Sequence, residues 1–510
     1  MSTDEPRICV AICERDAAAL LATVKRFASF QSYIEIRLDS VNEDELSLAV
    51  RELGDLLRTQ SLNTIITFRP EEQGGLRSLT LDRRRQFWCE HGFQLPASLI
   101  DLEIDLAEDL LHNNKDVDWS RVICSIHDFS GQATVEELYE RLARTPARYL
   151  KVAVMLDDAS DNVEIFKLLE RATSDDRKLI AIGLGRAGVC SRILGPSRGS
   201  FLTYASPDRY TSTGTGQLTA AELRDCYRVE QITESTEVFG LIGQPIAHSL
   251  SPQIHNAAFK AAAVNGVYVP FEVGDVNSFM RRMVHPTTRE IEWNLRGLSV
   301  TTPHKQTVMV HLDWIEPAAK EIGAVNTVVF DGEKLKGYNT DAYGFISALK
   351  IRLPEIAGKQ CAVIGSGGAA RAAVWSLLQE GAEVSVFARD TKRAEPLAES
   401  FEVPLIELRP ALFKEFDVVV NTTVLGMSGE LEQQTPATVE QLRGARLAYD
   451  LVYNPTETRF LRDAKTAGCD TLGGLSMFVA QAAEQFRLWT GKDAPFDVMR
   501  TAAIEGLNRR

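Results

Sequence analysis

What this chain lacks narrows what it is. No apolar run approaches the roughly 18 residues needed to cross a bilayer. Its opening, MSTDEPRICV, has no basic-then-apolar leader, so the expected location is the cytoplasm. Basic charge is not in excess: 56 Lys and Arg against 70 Asp and Glu leave a net charge of −14. That balance argues against a nucleic-acid footprint and against a polybasic membrane surface. Paired cysteines are also missing. The eight are scattered, and Cys9 and Cys13 have neither zinc-ligand nor redox spacing. They read as reduced core residues, and no metal site is expected. No internal repeat or low-complexity tract stands out. What remains is 510 residues, 45% hydrophobic and 25% charged, enough for two or three ordinary globular domains.

The first half alternates short apolar strands with helical stretches. The strands are expected at 7–12, 33–39, 63–69, 99–105, 121–128, 149–155, 178–185 and 201–205. Eight βα units in about 205 residues suit a (β/α)8 barrel, although a doubly wound sheet also alternates. The polar residues favour the barrel. Glu35, Arg37, Arg69, Glu103, His127, Lys151 and Arg192 fall at or just beyond the C-terminal ends of strands, which in a barrel converge on one face.

Lys151 is the most informative residue. It lies in YLKVAVM, which otherwise reads as a buried strand. An ammonium there is costly to desolvate, so its pKa is expected to fall, and a neutral lysine in a dry pocket can attack a ketone to form a Schiff base. The bland alternative is a lysine that snorkels to water from a strand end. Its company decides against that. His127 ends the preceding strand, where it can shuttle a proton. Glu35 and Arg37 share a strand face with Asp39 and need partners or a polar cavity. Arg69 precedes a Gln73-Gly74-Gly75 turn, and Arg192, Thr213 and Gln217 lie in later loops. Arginines at such a mouth suit a carboxylate, which their planar fork holds in two places.

A helix plus linker is expected over 218–237, and a new strand pattern begins at Val238. Ser249 and Ser251 stand just before a helix, where one serine is explained by an N-cap. Lys305 follows a proline-broken strand. Asn326, Asn339, Thr340 and Asp341 lie in Asx/Thr-rich turns, which are commonly structural. The glycine-rich stretch is the stronger signal. Gly365, Gly367 and Gly368 follow the apolar strand 360–364 and open a helix at Ala369. That is the frame a dinucleotide turn requires, with backbone amides at a helix N-terminus facing the pyrophosphate. The next strand ends in Arg389, with Arg393 four residues on. These suit the 2′-phosphate of NADP better than the ribose hydroxyls of NAD, while Asp390 either pairs with an arginine or meets the ribose.

Taken in order, EIRLD, TFRPEEQGG, DLEI, SIHDF, LKVAVM, GVCSR and TGTGQ resemble the type I 3-dehydroquinate dehydratases over about residues 5–230. The resemblance implies an eight-stranded barrel in which Lys151 forms an imine with the C3 ketone of 3-dehydroquinate. His127 then removes a C2 proton and helps expel the C1 hydroxyl. It also implies that Glu35, Arg37 and Arg69 position the ring hydroxyls, that Arg192 holds the carboxylate, and that Thr213 and Gln217 close over it. Two departures stand out. Gln73 occupies the place of the family's glutamate beside the histidine, and the closing loop lacks the usual proline.

HSLSP, SVTTPHK, GAVNT, YNTDAYGF, VIGSGGAAR and LGGLSMFVAQAAEQF resemble the shikimate dehydrogenases over about residues 237–510. This implies hydride transfer between NADPH and the C3 ketone of 3-dehydroshikimate, with Lys305 and Asp341 as the catalytic pair. Ser249 and Ser251 grip the carboxylate, and Thr301, Asn326 and Gln481 meet the ring hydroxyls. Asn421, Thr422 and Gly474 join the cofactor set, and Ser299 stands where the family carries Asn or Ser. Three parts are therefore expected: a dehydratase barrel at 1–236, a substrate-binding domain at 237–340 completed by 475–510, and a Rossmann NADP domain at 341–474. The first half's product is the second half's substrate, so the whole resembles the fused dehydratase–dehydrogenases. Two alternatives stay open: a second half that oxidises quinate or shikimate with NAD, and a non-catalytic metabolite sensor. The expected partners are small molecules, with oligomeric state unassigned.

Overall fold

The structure is a computed structural model that describes residues 7–30, 32–113, 116–211, 214–409 and 411–509. The chain divides into two compact units. Unit 1 is Met1–Thr236 with Val269–Val284 and Thr288–Asn294; unit 2 is Glu237–Tyr268, His285–Thr287 and Leu295–Arg510.

Unit 1 alternates strands and helices: β1 (Ile8–Ile12), α1 (Ala17–Phe27), β2 (Tyr33–Arg37), α2 (Glu43–Thr59), β3 (Thr64–Thr67), α3 (Leu81–Glu90), β4 (Leu99–Glu103), α4 (Ile104–Asn113), β5 (Val122–Asp128), α5 (Val135–Ala143), β6 (Tyr149–Met155), α6 (Asn162–Ser174), β7 (Lys178–Leu184), α7 (Val189–Leu194) and β8 (Thr203–Ala205). The strands form one sheet in the order β7-β6-β5-β4-β3-β2-β1-β8, and each neighbouring pair runs parallel. A parallel bridge from Leu179 to Ser200 joins the two ends. Parallel strands buried on both faces are the setting in which apolar runs of this kind are stable.

Local chemistry explains the helices. In α2, Leu46, Ala49, Leu53, Leu56 and Leu57 are buried at helical spacing, and Glu43, Asp44 and Glu45 favour its N-terminus. Thr134 and Glu137 close a reciprocal capping box at α5.

The expected strands are recovered with trimmed ends. Residues 38–40 form a 3-10 turn rather than strand. Asp105 belongs to the first turn of α4, where its charge faces the favourable end of the helix. The helix plus linker expected over 218–237 holds a short π-helical segment, Glu222–Cys226, followed by a 3-10 turn, Val229–Gln231.

Unit 2 contributes β9 (Glu237–Gly243) and α8 (Ser251–Ala261), and β10 (Gly266–Glu272) starts within it. After α9 (Val276–Phe279) come β11 (Leu295–Val300), β12 (Trp314–Ile315), α10 (Pro317–Ile322), β13 (Thr327–Asp331), β14 (Lys334–Tyr338) and α11 (Thr340–Arg352). A second set follows: β15 (Gln360–Ile364), α12 (Gly368–Gln379), β16 (Glu383–Ala388), α13 (Thr391–Phe401), β17 (Leu405–Glu407), β18 (Val418–Asn421), α14 (Val439–Leu442), β19 (Leu447–Asp450), α15 (Arg459–Ala467) and β20 (Asp470–Leu472). The chain ends with α16 (Leu475–Thr490) and α17 (Phe496–Asn508).

The last six strands pair in the order β17-β16-β15-β18-β19-β20. That is the doubly wound dinucleotide-binding order, with its switch point between the first and fourth strands, β15 and β18. Helices α16 and α17 bury Val479, Ala482, Phe486, Met499 and Ala503 against Phe239, Leu241, Ile254 and Phe259. The C-terminal residues therefore complete the core around β9 and α8. Among the described residues no helix is long and apolar enough to cross a membrane.

Candidate active sites

The side-chain alternation of barrel strands builds the first site. Tyr149, Lys151, Ala153 and Met155 share one face of β6, and Tyr149 and Ala153 belong to the apolar core inside the barrel. Ser125 lies beside Lys151 across β5, and His127 lies beside Ala153. Lys151 is thus the third residue of a seven-residue strand, not a strand-end lysine. The side chain reaches the mouth from inside the cylinder.

A pocket opens there, lined by Glu35, Arg37, Arg69, Gln73, His127, Lys151, Arg192 and Gln217 among others. The structure thus brings together every residue named for this site except Thr213, which lies outside the described residues.

Lys151 is not the isolated amine that the strand pattern suggested. Its Nζ lies 3.0 Å from Asp101 Oδ2 and 3.9 Å from Glu35 Oε1, and 4.1 Å from the Tyr204 ring centre. A carboxylate pair and a π face replace the water the ammonium loses. Asp101 is the residue that sequence reasoning missed. It is fully buried in β4 and accepts from Arg69 Nη2 at 2.6 Å and Ser125 Oγ at 2.6 Å. Burial alone would raise its carboxyl, but Arg69 and Lys151 outweigh burial and hold it below the usual range. The alternation of Asp101 and Glu103 in LIDLE carried the signal, as it did for Glu35 and Arg37. Glu103, at the C-terminal end of β4, is equally buried, and burial pushes its carboxyl up to about 7.

His127 is held on two sides. Its backbone N–H donates to Gln73 Oε1 at 2.8 Å, so the amide at the departed glutamate position grips the main chain of the histidine. Arg69 Nη1 donates to Nδ1 at 2.5 Å. Burial, followed by the charges of Arg69 and Lys151, pulls the imidazole well below its ordinary pKa. The ring is neutral at pH 7. Because a guanidinium only donates, the ring proton sits on Nε2 in this arrangement.

Arg37 is committed to Asp39 through two hydrogen bonds of 2.9 and 2.8 Å and to the Gly74 carbonyl at 3.0 Å. It shapes the rim. Arg192 differs. It is 3% exposed, its Nε has no hydrogen-bond partner, and no acid among the described residues pairs with it. Burial brings it down to about 10. A buried, uncompensated guanidinium facing a pocket is a ready seat for an anion. The loop bearing Gln217 is docked rather than loose. Gly185 N–H donates to the Thr215 carbonyl at 3.1 Å, and Gly216, at φ +77°, lies where any Cβ would strike the Gly185 carbonyl.

The second site forms around Lys305 and Asp341, whose Nζ and Oδ2 are 2.5 Å apart. Asp341 lies in the first turn of α11, capped by Asn339. Asn326 donates one amide hydrogen to Asp341 Oδ1 at 2.8 Å and the other to Thr340 Oγ1 at 3.0 Å. Both amide hydrogens thus serve the carboxylate and its helix turn, where a contact to a ring hydroxyl was expected. Ser249 accepts from the Ser251 N–H at 3.1 Å and donates to Ser251 Oγ at 3.1 Å, which clusters the two hydroxyls at the start of α8. Gln481 sends its amide to the Phe478 carbonyl. Thr301 follows β11 and is half-buried.

The glycine turn reaches the same place. A Cβ on Gly368 would lie 3.1 Å from Lys305 Cδ. Gly365 has φ +126°, and a Cβ there would strike Thr422 Oγ1. Gly367 caps α12 with open space beside it, and Ala369 follows in the first turn. Arg389 and Arg393 are exposed, and among the described residues neither has an acid partner. Asp390 is occupied as the cap of α13, accepting from the Arg393 N–H. These features fit a phosphorylated dinucleotide: a cradle without side chains, a helix N-terminus and two uncommitted cations. Two other residues of the expected cofactor set also make close contacts within the protein. Asn421 is buried between Asp450 and Thr423, and Gly474 packs under the Leu451 carbonyl.

A lysine-bearing parallel barrel followed by a dinucleotide-binding unit defines a two-site α/β enzyme. The chain matches the family model of type I 3-dehydroquinase over residues 8–234. It also matches the shikimate dehydrogenase substrate-binding domain over 241–328, the shikimate/quinate 5-dehydrogenase model over 347–433 and the shikimate 5′-dehydrogenase C-terminal domain over 474–504. It is 34% identical over 486 residues to the chloroplastic bifunctional 3-dehydroquinate dehydratase/shikimate dehydrogenase of Arabidopsis thaliana, covering 91% of this chain and 78% of that protein. It is 41% identical over 272 residues to the NADP(+) shikimate dehydrogenase of Caldanaerobacter subterraneus subsp. tengcongensis, covering 51% of this chain and 94% of that protein. A solved shikimate dehydrogenase in complex with NADP+ aligns with a TM-score of 0.50 and 34% identity, covering 54% of this chain and 97% of that one. The chain belongs to the bifunctional 3-dehydroquinate dehydratase/shikimate dehydrogenase family. It is a lyase and an NADP-dependent oxidoreductase of the shikimate pathway.

Proposed function

We propose that the two activities are divided between the two lysines, Lys151 for dehydration and Lys305 for reduction. In the barrel, Lys151 Nζ attacks the C3 ketone of 3-dehydroquinate, water leaves, and an imine forms. Asp101, at 3.0 Å, is the nearest acceptor for the proton the amine must shed. The imine then draws electrons from C2 as His127 takes the C2 proton. For that, His127 must release Arg69, whose guanidinium stays anchored by Asp101 and Ser125. His127 returns the proton to the departing C1 hydroxyl, and hydrolysis of the imine frees 3-dehydroshikimate and Lys151. Arg192 seats the carboxylate throughout. The observation that carries this reading is the buried Lys151–Asp101 pair opening onto a pocket that also holds His127 and an unpaired arginine.

In the second unit, Gly365, Gly367 and Gly368 would hold the pyrophosphate, and Arg389 and Arg393 the 2′-phosphate. NADPH supplies the hydride when bound. Lys305 donates the proton that the C3 oxygen gains, and Asp341 keeps its ammonium aimed. The serine pair grips the substrate carboxylate. Both carboxylate seats, together with the net charge of −14, support small acids as partners in preference to nucleic acid or a membrane surface. The eight scattered cysteines have neither zinc-ligand nor redox spacing, which supports the cytoplasm as the compartment.

The experiment is a coupled assay on the full chain with 3-dehydroquinate and NADPH. NADPH consumption should match shikimate formed one for one. Cofactor oxidation without shikimate would contradict the reading.

A further inference from the structure

The Lys305–Asp341 pair does not stand alone. Asp341 is held by Asn326, and Asn326 is held in turn by a residue with no assigned role. Gln485, in α16, is 2% exposed and uses its whole amide. Its Oε1 accepts from Ser299 Oγ in β11 at 2.9 Å. Its Nε2 donates to the main-chain carbonyl of Asn326 at 3.2 Å and to Thr327 Oγ1 at 3.0 Å. Thr327 Oγ1 donates to Asn326 Oδ1 at 2.8 Å, which fixes the side chain of the same asparagine. Asn326 Oδ1 also accepts from the Thr340 N–H at 2.8 Å, next to Asp341. Gln485 therefore grips Asn326 at its backbone and, through Thr327, at its side chain. Asn326 hands that constraint to Asp341 Oδ1 at 2.8 Å, and Asp341 Oδ2 meets Lys305.

We propose that Gln485 is a positioning residue for the reduction, aiming the Lys305 ammonium by fixing Asn326 and hence Asp341. A glutamine that merely tied α16 to β11 and β13 could use any carbonyl in either strand. This one takes the carbonyl of the residue that holds the catalytic carboxylate, and a hydroxyl bonded to that residue's side chain. Its amide makes one acceptor and two donor contacts, so neither a carboxylate nor a thioether reproduces the set. The inference rests on the assignment of Lys305 and Asp341 made above.

The test uses the full chain with Gln485→Met, which keeps length and removes all three contacts, and Thr327→Val, which removes the hydroxyl relay. Reduction kcat should fall by roughly tenfold to a hundredfold, the scale of a displaced reacting group. KM for 3-dehydroshikimate should stay within about threefold, because the carboxylate seat is untouched. The pH profile of kcat should shift in both variants, and dehydration by the same chain should be unchanged. A purely structural role would lower the melting temperature and leave the pH profile of the folded fraction in place. Parental kcat with an unshifted profile in both variants overturns the proposal, as does a raised KM with intact kcat. If Gln485→Met does not fold, Thr327→Val decides. If Lys305→Ala reduces at the parental rate, the underlying assignment fails. A silent Gln485 beside an essential Lys305 sinks only this inference.

Discussion

The two lysines show two ways of preparing one functional group. Lys151 rises from the middle of a strand in a barrel sheet. Its neighbours come from β2, β4 and β8, and its side chain is 5% exposed. Lys305 sits in a turn beyond β11, its side chain is 16% exposed, and its carboxylate partner comes from the first turn of a helix. The barrel buries its amine among charges so that it can become part of a covalent intermediate. The second unit leaves its amine near the surface, beside a cofactor cradle, where it handles only a proton. The difference teaches that a lysine–carboxylate pair does not define a chemistry. Its depth and its other neighbours do.

The largest expected effect breaks the comparison in both directions at once. Lys151→Ala should lower dehydration by at least about a thousandfold while leaving reduction of added 3-dehydroshikimate intact. Lys305→Ala should lower reduction by about a hundredfold or more and spare dehydration. Separate assays on each variant check this, and loss of both activities in either one would mean that the sites are not independent.

A smaller effect belongs to the cofactor cradle. Arg389→Ala should raise KM for NADPH by about tenfold or more, the scale of a lost charge-assisted hydrogen bond, and should leave whatever turnover NADH supports unchanged. Equal losses with both cofactors would remove the 2′-phosphate assignment.

The subtlest effect is a displaced pH limb. A base is active when unprotonated, so its rate falls as pH drops through its pKa. The His127 pKa is lowered by burial and by Arg69 and Lys151. The acid limb of kcat/KM for dehydration should therefore lie below the ordinary histidine range near 6.5. Rates measured across pH 5 to 8 that already decline near 6.5 would show a solvated imidazole.

Much of this was legible in the sequence because period and order are strong signals. The eight barrel strands, the glycine turn and its framing strand and helix all follow from alternation and punctuation. What escaped depends on contacts between distant segments. Asp101 lies 50 positions before its lysine, and DLEI read as a motif without a role for its aspartate. Gln485 lies 159 positions after the asparagine it fixes. Arg37 lines the pocket while its fork holds Asp39, and Asn326 gives an amide hydrogen to Asp341, bonds that no motif spelled out. Residue type announced a polar partner in every case, but only the fold shows which one.

The most direct measurement traps the covalent intermediate. Borohydride added to the enzyme with 3-dehydroquinate should attach the reduced ligand to the peptide containing Lys151 and abolish dehydration. An unmodified Lys151 peptide in enzyme that is turning over would contradict the account.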